Sequence, residues 1–437
     1  FKILSNLVFG RSIFLPTEYL TPMELPHMIR ISKSLERMGG WPYKTMGHKP
    51  QIYAINNKFY FVFWSIVLFG GSMYIRRHQK EYGFIKLGQT YITVLMNSVT
   101  VVRKTSIYLL FWLSLFFLSY SNLFGVIVAF FFHSILLIFS HISRKRSHTD
   151  IPSLFRYLVW LMFTQGWFAM SAFVLMPGYF NFMNGLYKAD RPRDVPLESA
   201  VYYDVPFDFE YSMRNHILTY IANAILTFDC AFCFVSFDVI VLLIVFDLWG
   251  HIKIFKNMLE SFPRPANDNV SFEIPAWYTK EELVNVTFSS IYILLNALIC
   301  SRYMGKASQA FGSMMCLYCA FNQICLCILL FKCTQNDIAE TVRYGIITVY
   351  MIELLVVESV CFEMLDSESV TIKDYVYGLP WECMDTKNRK IVYFFLANAQ
   401  EPLTFKALGV LPIGVQTMAG ILKRTLSYFM LLRTLGE

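Results

Sequence analysis

Apolar residues in this chain come in stretches close to twenty long instead of alternating with polar ones, and about 20 such residues are what an α-helix needs to cross the hydrocarbon core of a membrane. Stretches of this kind lie near residues 59 to 75, 154 to 178, 216 to 248, 311 to 332, 341 to 361 and 408 to 435. Between 88 and 142 one apolar run ends at Arg103-Lys104, and a nearly uncharged run follows from 105 to 142, long enough for one bent helix or two. The pattern predicts seven or eight crossings. The fold class is therefore all-α, a polytopic membrane protein built as a seven-transmembrane helix bundle with cytosolic helical extensions. Those extensions are expected because residues 247 to 262 continue one span with charges, and because the apolar patch at 286 to 300 is shorter than a comfortable span. Before the first span, Met28, Ile31, Leu35 and Met38 recur at helical spacing with Arg30, Lys33 and Arg37 elsewhere, which predicts an amphipathic helix at the inner membrane surface or on the protein itself.

The flanks of the spans set the orientation. Arg144, Lys145 and Arg146 form a purely basic loop, and Arg30, Lys33, Arg37, Lys44 and Lys49 precede the first span, which places both regions in the cytosol. In the segment from 179 to 215, acids such as Asp190, Asp194, Glu198, Asp204, Asp208 and Glu210 outnumber cations, which suits the outer face. An N-terminus inside and an odd number of crossings put the C-terminus outside.

Composition agrees with lipid as the solvent. Of 437 residues 56% are hydrophobic and 16% charged, against about 25% charged in ordinary soluble domains. The net charge of +7 sits in short clusters between apolar runs, which serves membrane orientation and not nucleic-acid binding. Most of the ten cysteines, among them Cys230, Cys233, Cys316, Cys319, Cys325 and Cys327, lie inside apolar runs and are read as packed thiols, with no metal site and no cofactor. The chain opens on Phe1 without an initiator Met, which leaves room for sequence before it, and shows no signal-peptide pattern there.

No phosphate-binding glycine loop, metalloprotease helix or acyltransferase-type histidine is present, so the chain is not read as an enzyme. Charges at lipid depth say more, because each costs at least about 2.5 kcal/mol at mid-bilayer unless it faces protein or water. Asp229, Asp238 and Asp247 share one span. Asp247 lies near the cytosolic end and is inexpensive to place, whereas Asp229 and Asp238 need hydroxyl, cationic or water partners in a bundle. Lys423 and Arg424 fall mid-way along the last span, which should then face a water-filled path or a partner. Aromatic and hydroxyl residues gather toward the outer halves of the spans: Tyr91, Trp167, Phe168, Ser171, Phe173, Tyr220, Phe228, Tyr344 and Tyr350. As a set they suit an apolar cavity with a few hydrogen-bonding groups among the second, third, fourth and sixth spans.

The C-terminal quarter carries Ser367, Tyr377 and Trp381, then Arg389-Lys390, Ala399-Gln400-Glu401-Pro402, Leu422-Lys423 and Ser427-Tyr428-Phe429-Met430-Leu431-Leu432. This pattern resembles the C-terminal signature of insect odorant receptors. Trp41-Pro42, Val205-Pro206-Phe207-Asp208 and Phe237-Asp238 with the charged continuation from Trp249 agree with it. The resemblance implies a ligand-gated cation channel of four subunits around a pore lined by the last helix. It also implies cytosolic helix ends as the inter-subunit anchor and a pocket for a small volatile organic ligand in the outer half. The short connection between the fourth and fifth spans points to a tuning receptor that assembles with an odorant co-receptor in the plasma membrane, at the dendrite of an olfactory neuron. Anchored on Tyr428-Phe429, the hydrophobic gate position falls on Leu431 and its polar neighbour on Thr434. Gustatory receptors share the architecture, but the Thr-Tyr start and Gln-Phe end of their final helix are missing. A secondary transporter would show inverted repeats with paired Gly or Pro breaks.

On this reading the chain divides into a cytosolic N-terminal region (1–57), spans 1–4 with the outer loop 179–215 (58–248), a cytosolic helical anchor (249–310), spans 5–6 (311–366), a cytosolic helical segment (367–407) and the pore-lining last span (408–437). The sequons at Asn269 and Asn285 then face the cytosol. Neither should carry glycan when the protein is expressed in insect cells, and a mass shift removed by a glycosidase at either site would reverse the orientation.

Overall fold

The apolar stretches form helices that run well past the residues that announce them. The computed structural model describes residues 53–80, 84–117, 150–188, 191–192, 195–265, 277–334 and 338–436. The predicted amphipathic helix, the basic loop at 144–146, Trp41-Pro42, Asn269 and the run beyond 117 lie outside these. The long helices are α1 (Tyr53–His78), α2 (Phe84–Phe117), α3 (Asp150–Met183), α4 (Met213–Glu260), α5 (Lys280–Cys333) and α6 (Ile338–Val370). After them come α7 (Ile372–Tyr377), a 3-10 turn at Trp381–Cys383, α8 (Thr386–Asn398), the strands β1 (Lys406–Ala407) and β2 (Leu411–Pro412), and α9 (Val415–Gly436). Four described stretches, Tyr157–Met183, Met213–Glu260, Lys280–Cys333 and Glu340–Cys383, are long and apolar enough to cross a membrane. The protein is thus an all-α membrane bundle, in which α4, α5 and α6 pack on one another and on α2, α3 and α9.

Helix length explains the charged extensions. α4 has 48 residues and α5 has 54. At 1.5 Å per residue these are about 70 and 80 Å long, more than twice the roughly 30 Å of hydrocarbon. Both must leave the lipid, and their protruding parts are built as in a soluble protein. The N-terminus of α5 is closed by a capping box, with Thr279 Oγ1 accepting from the Glu282 amide at 3.3 Å and the Glu282 carboxylate accepting in turn from the Thr279 amide at 2.8 Å. On α4, Lys256 pairs with Glu368, and Phe255 meets Phe395 of α8 edge-on at 5.6 Å.

The last helix begins later than the sequence predicts. Residues 406–412 form an antiparallel hairpin, with Leu408 and Gly409 turning the chain at φ of 52° and 73°. Its strand lies so close to α5 that a Cβ on Gly312 would stand 3.0 Å from the Leu408 nitrogen and 3.1 Å from the Lys406 oxygen. Ser308 Oγ donates to that oxygen at 2.5 Å and accepts from the Lys406 amide at 3.0 Å. The apolar residues at 408, 410 and 411 therefore belong to a clamp on α5, and α9 starts at Val415.

α2 presents its polar residues inward. Gln89, Thr93, Asn97, Thr100 and Arg103 recur every three or four positions and are all buried. Arg103, 1% exposed, places Nη2 3.1 Å from Asp238 Oδ1 and Nη1 3.3 Å from the Phe234 carbonyl. Its guanidinium also lies over the rings of Phe234, Phe237 and Tyr318, at 4.4, 4.3 and 4.9 Å. Asp229 accepts from the Trp64 indole at 2.8 Å, so both mid-span acids find partners from other helices. Asp247 corrects the expectation made for it: it is 3% exposed, and neither of its oxygens has a hydrogen-bond partner among the described residues. It is deep in protein because α4 continues past it and α5 packs alongside. None of the ten cysteines forms a disulfide, and those at 319, 325 and 327 are buried in the core.

Removing one member of a buried ion pair leaves the other charge stranded, at about 3–5 kcal/mol, whereas apolar replacement of both can be nearly neutral. Arg103→Met or Asp238→Leu alone should abolish surface delivery or lower the melting temperature of the purified protein sharply. The Arg103→Met/Asp238→Leu double variant should recover most of the loss in the same thermal unfolding measurement.

Candidate functional site

The loop between α3 and α4 folds back into the bundle at residues 197–203, where Leu197, Ser199, Ala200 and Val201 are buried. A buried loop must find partners for its backbone, and the side chains of four helices supply them. Gln89 Nε2 of α2 donates to the carbonyls of Ser199 and Ala200 at 3.1 and 2.5 Å. Arg343 of α6 adds a bond to the Ala200 carbonyl at 3.3 Å, and Asn223 of α4 donates to that of Val201 at 3.1 Å. Asn181 of α3 exchanges bonds with the Glu198 backbone at 2.8 and 2.9 Å.

Beneath this plug the helices enclose a cavity of about 50 Å³. Its roof is Val201 and Tyr203, and Phe234, whose ring carries Arg103, is part of its wall. The rest of the lining includes Trp64 of α1, Met96 and Asn97 of α2, Met170 and Phe173 of α3, Cys230 of α4, Leu329 of α5 and Tyr344, Tyr350, Met351 and Leu354 of α6. The surface is largely apolar, yet three buried polar atoms have no hydrogen-bond partner among the described residues: Asn97 Nδ2, Tyr344 Oη and Tyr350 Oη. Burial pushes the Tyr203 hydroxyl above its usual pKa, so it stays a neutral hydrogen-bonding group. The chemistry on offer is shape, apolar contact and a few hydrogen bonds. Organic-ligand pockets run to about 300–1,000 Å³, so a guest must push the lining apart, and Met96, Met170 and Met351 are side chains that adapt at little cost.

Of the residues proposed from sequence, the structure brings Phe173 and Tyr344 to the cavity, with Tyr350. Trp167 and Phe168 are 58% and 65% exposed on the outward face of α3, and Trp167 lies against Phe228 at 4.9 Å. Tyr91 and Ser171 are half-buried, and Tyr220 ties its hydroxyl to the Val174 carbonyl at 2.9 Å; none of the three lines the cavity. His216 is buried between Tyr187 and Tyr220. On α9, Lys423, Leu431 and Thr434 are exposed, while Ile421 and Thr425 are buried on the side toward α5 and α6. Sequence reasoning missed Gln89, Asn97 and Met351. The signal for the first two was the helical spacing of polar residues on α2.

The sequence model of the family described as 7tm Odorant receptor matches residues 94–426. The putative odorant receptor 92a of Drosophila melanogaster is 22% identical over 232 residues, 52% of this chain and 53% of that receptor, so the chain spans about half the length of the curated relative it matches. The insect olfactory receptor OR5 from Machilis hrabei superposes with a TM-score of 0.70 at 14% identity, covering 94% of this chain and 99% of that one. Its complex with eugenol superposes with a TM-score of 0.71 at 13% identity, covering 95% and 100%. At such identities the likeness speaks for the fold.

The wall between α3 and α6 is tight. A Cβ at Gly166 would stand 2.8 Å from Tyr350 Oη, closer than real contacts allow. Gly166→Ala should therefore cost about 1–3 kcal/mol by overpacking, visible as a lower melting temperature, and Tyr350→Phe should restore most of it. A Gly166→Ala protein as stable as the parent would show that Tyr350 is free to move aside.

Proposed function

Because the chain belongs to the 7tm odorant receptor family, we propose that its cavity receives a small volatile organic molecule, and that this binding opens a cation pore lined by α9. The chain is a multi-pass membrane receptor and not an enzyme. The observation that carries the proposal is the apolar cavity with the unpartnered Asn97 Nδ2, Tyr344 Oη and Tyr350 Oη in its wall. Those are complements to an apolar guest with one or two hydroxyl or carbonyl oxygens. Phe173, Tyr344, Met351 and Asn97 are its contacts; Trp167 and Phe168 face away from it. That the solved relative carries eugenol, a phenol of this kind, supports the same guest class.

The exposed surface of α9 is apolar at Leu426, Tyr428, Met430 and Leu431, with Lys423 and Arg424 nearer its start and Arg433 in its last turn. Such a face suits a pore shared with other subunits: Leu431 as the ring that keeps it dry when closed, Thr434 beside it, and Lys423 toward water or a partner. The proposed assembly is a tetramer with an odorant co-receptor, in the plasma membrane of an olfactory neuron dendrite. The N-terminus is cytosolic and the C-terminus extracellular, and the protruding parts of α4 and α5 with α7 and α8 form the cytosolic anchor.

The test is current recorded from cells expressing this chain with a co-receptor, during application of a panel of volatile phenols, esters, alcohols and terpenes that includes eugenol. At least one should evoke a cation current that neither chain gives alone. Asn97→Leu should weaken an oxygen-bearing agonist about tenfold, the loss expected for one hydrogen bond, and leave a hydrocarbon of the same shape unaffected. Leu431→Ser should raise the resting leak. Unchanged potency and unchanged leak in well-expressed variants would remove the cavity and the gate respectively.

A further inference from the structure

A second concavity lies on the outer side of the same wall. It is a groove of about 510 Å³ between α3 and α6, bordered by Phe168 and Val349, each 65% exposed, and by Gly345. Across it Gln165 donates to Glu353 Oε1 at 2.8 Å, a polar pair on a largely apolar face. Tyr350 lines both the groove and the buried cavity. Resting on the reading of the cavity as the ligand site, we propose that this groove is the membrane-side way in for the ligand, a vestibule for a small apolar molecule with one oxygen, and that Tyr350 is its inner door.

Three observations support this. The cavity is roofed by a loop held through Gln89, Asn223 and Arg343, so leaving past the loop means breaking several buried hydrogen bonds. The Tyr350 hydroxyl has no hydrogen-bond partner among the described residues, so its ring turns against contacts alone, in contrast to Tyr220, which is tied to Val174 at 2.9 Å. A volatile apolar guest dissolves in the bilayer, which puts its highest concentration at the groove. There the Gln165–Glu353 pair offers a hydroxyl or carbonyl its first polar contact.

A door on the path changes rates and not equilibrium. Obstruction should slow admission and departure by the same factor and leave half-maximal concentration alone. Gly345 provides the obstruction, because a Cβ added there meets nothing within 4 Å. The experiment compares the parent with Gly345→Trp and Val349→Trp, each expressed with the co-receptor, under rapid application and removal of the most potent agonist from the volatile panel at low concentration. Gly345→Ala is the control for the backbone. Both Trp variants should slow rise and decay by about fivefold or more, as lid obstruction does, at unchanged half-maximal concentration, with Gly345→Ala like the parent. Unchanged rise and decay in the Trp variants that reach the surface, or a shifted half-maximal concentration at parental rates, would overturn the proposal. If Asn97→Leu leaves potency unchanged, the cavity reading itself has failed. If Asn97→Leu acts and the Trp variants do not, only the groove has.

Discussion

One buried charge sets terms for the whole bundle. Arg103 cannot reach water, so it must keep Asp238 within hydrogen-bonding distance and aromatic faces around it. Those partners belong to α4 and α5, so the register of α2 against both is decided by one side chain. Phe234 supplies a carbonyl to Arg103 and a ring to the cavity wall, which makes the polar centre and the apolar cavity neighbours by construction. Glu358 of α6 is buried in the same cluster, near Asp238 and Tyr318, so α6 is bound into the arrangement as well.

The cavity exists because the two ends of the bundle interior are filled differently. On one side the 197–203 loop enters with its carbonyls satisfied by Gln89, Asn223 and Arg343, and on the other stands the Arg103 cluster. Both are fixed by directional bonds and neither yields gradually. Between them the lining is largely methionine and aromatic, and apart from Trp64, whose indole is tied to Asp229, these side chains are held by contact, so the compliance of the structure is concentrated there. Under the proposed reading, a guest expands the middle layer while the layers above and below keep their geometry.

The membrane fold was legible because hydrocarbon demands long apolar helices, and that demand is written in consecutive residues. The limits of each helix were not, since α4 and α5 leave the lipid and are continued by protein contacts that no local pattern announces. Asp247 shows the consequence: judged by distance from the end of the apolar run it is near water, yet α5 covers it. The hairpin at 406–412 is apolar enough to pass for the start of a span, and only the close approach to Gly312 reveals it. Aromatic enrichment pointed to Phe173 and Tyr344, which line the cavity, but could not separate the inward from the outward face of α3, because a helix in lipid is apolar on both. Polarity is the better guide there. The stripe from Gln89 to Arg103 marks the interior of α2, the reverse of the rule for soluble helices.

α6 joins the parts of the molecule that the proposed function requires to communicate. Tyr344, Tyr350, Met351 and Leu354 are cavity wall, Glu358 is in the polar cluster, and the carboxylate of Glu363 accepts from the Val415 amide at 3.2 Å, at the first residue of α9. From Tyr350 to Glu363 is 13 residues of one unbroken helix, about 20 Å. An anion at a helix N-terminus is held by both the free amide and the helix dipole, so the start of α9 follows α6. Farther along, Asp366 accepts from Thr404 at 2.7 Å and Ser369 from the Leu403 amide at 2.9 Å, which ties the hairpin's approach to the same helix. A guest that displaces Tyr350 and Met351 pushes on a rigid rod anchored to both the hairpin and the N-terminus of α9. Under the proposed reading, the shortest physical route from ligand to pore is this one helix.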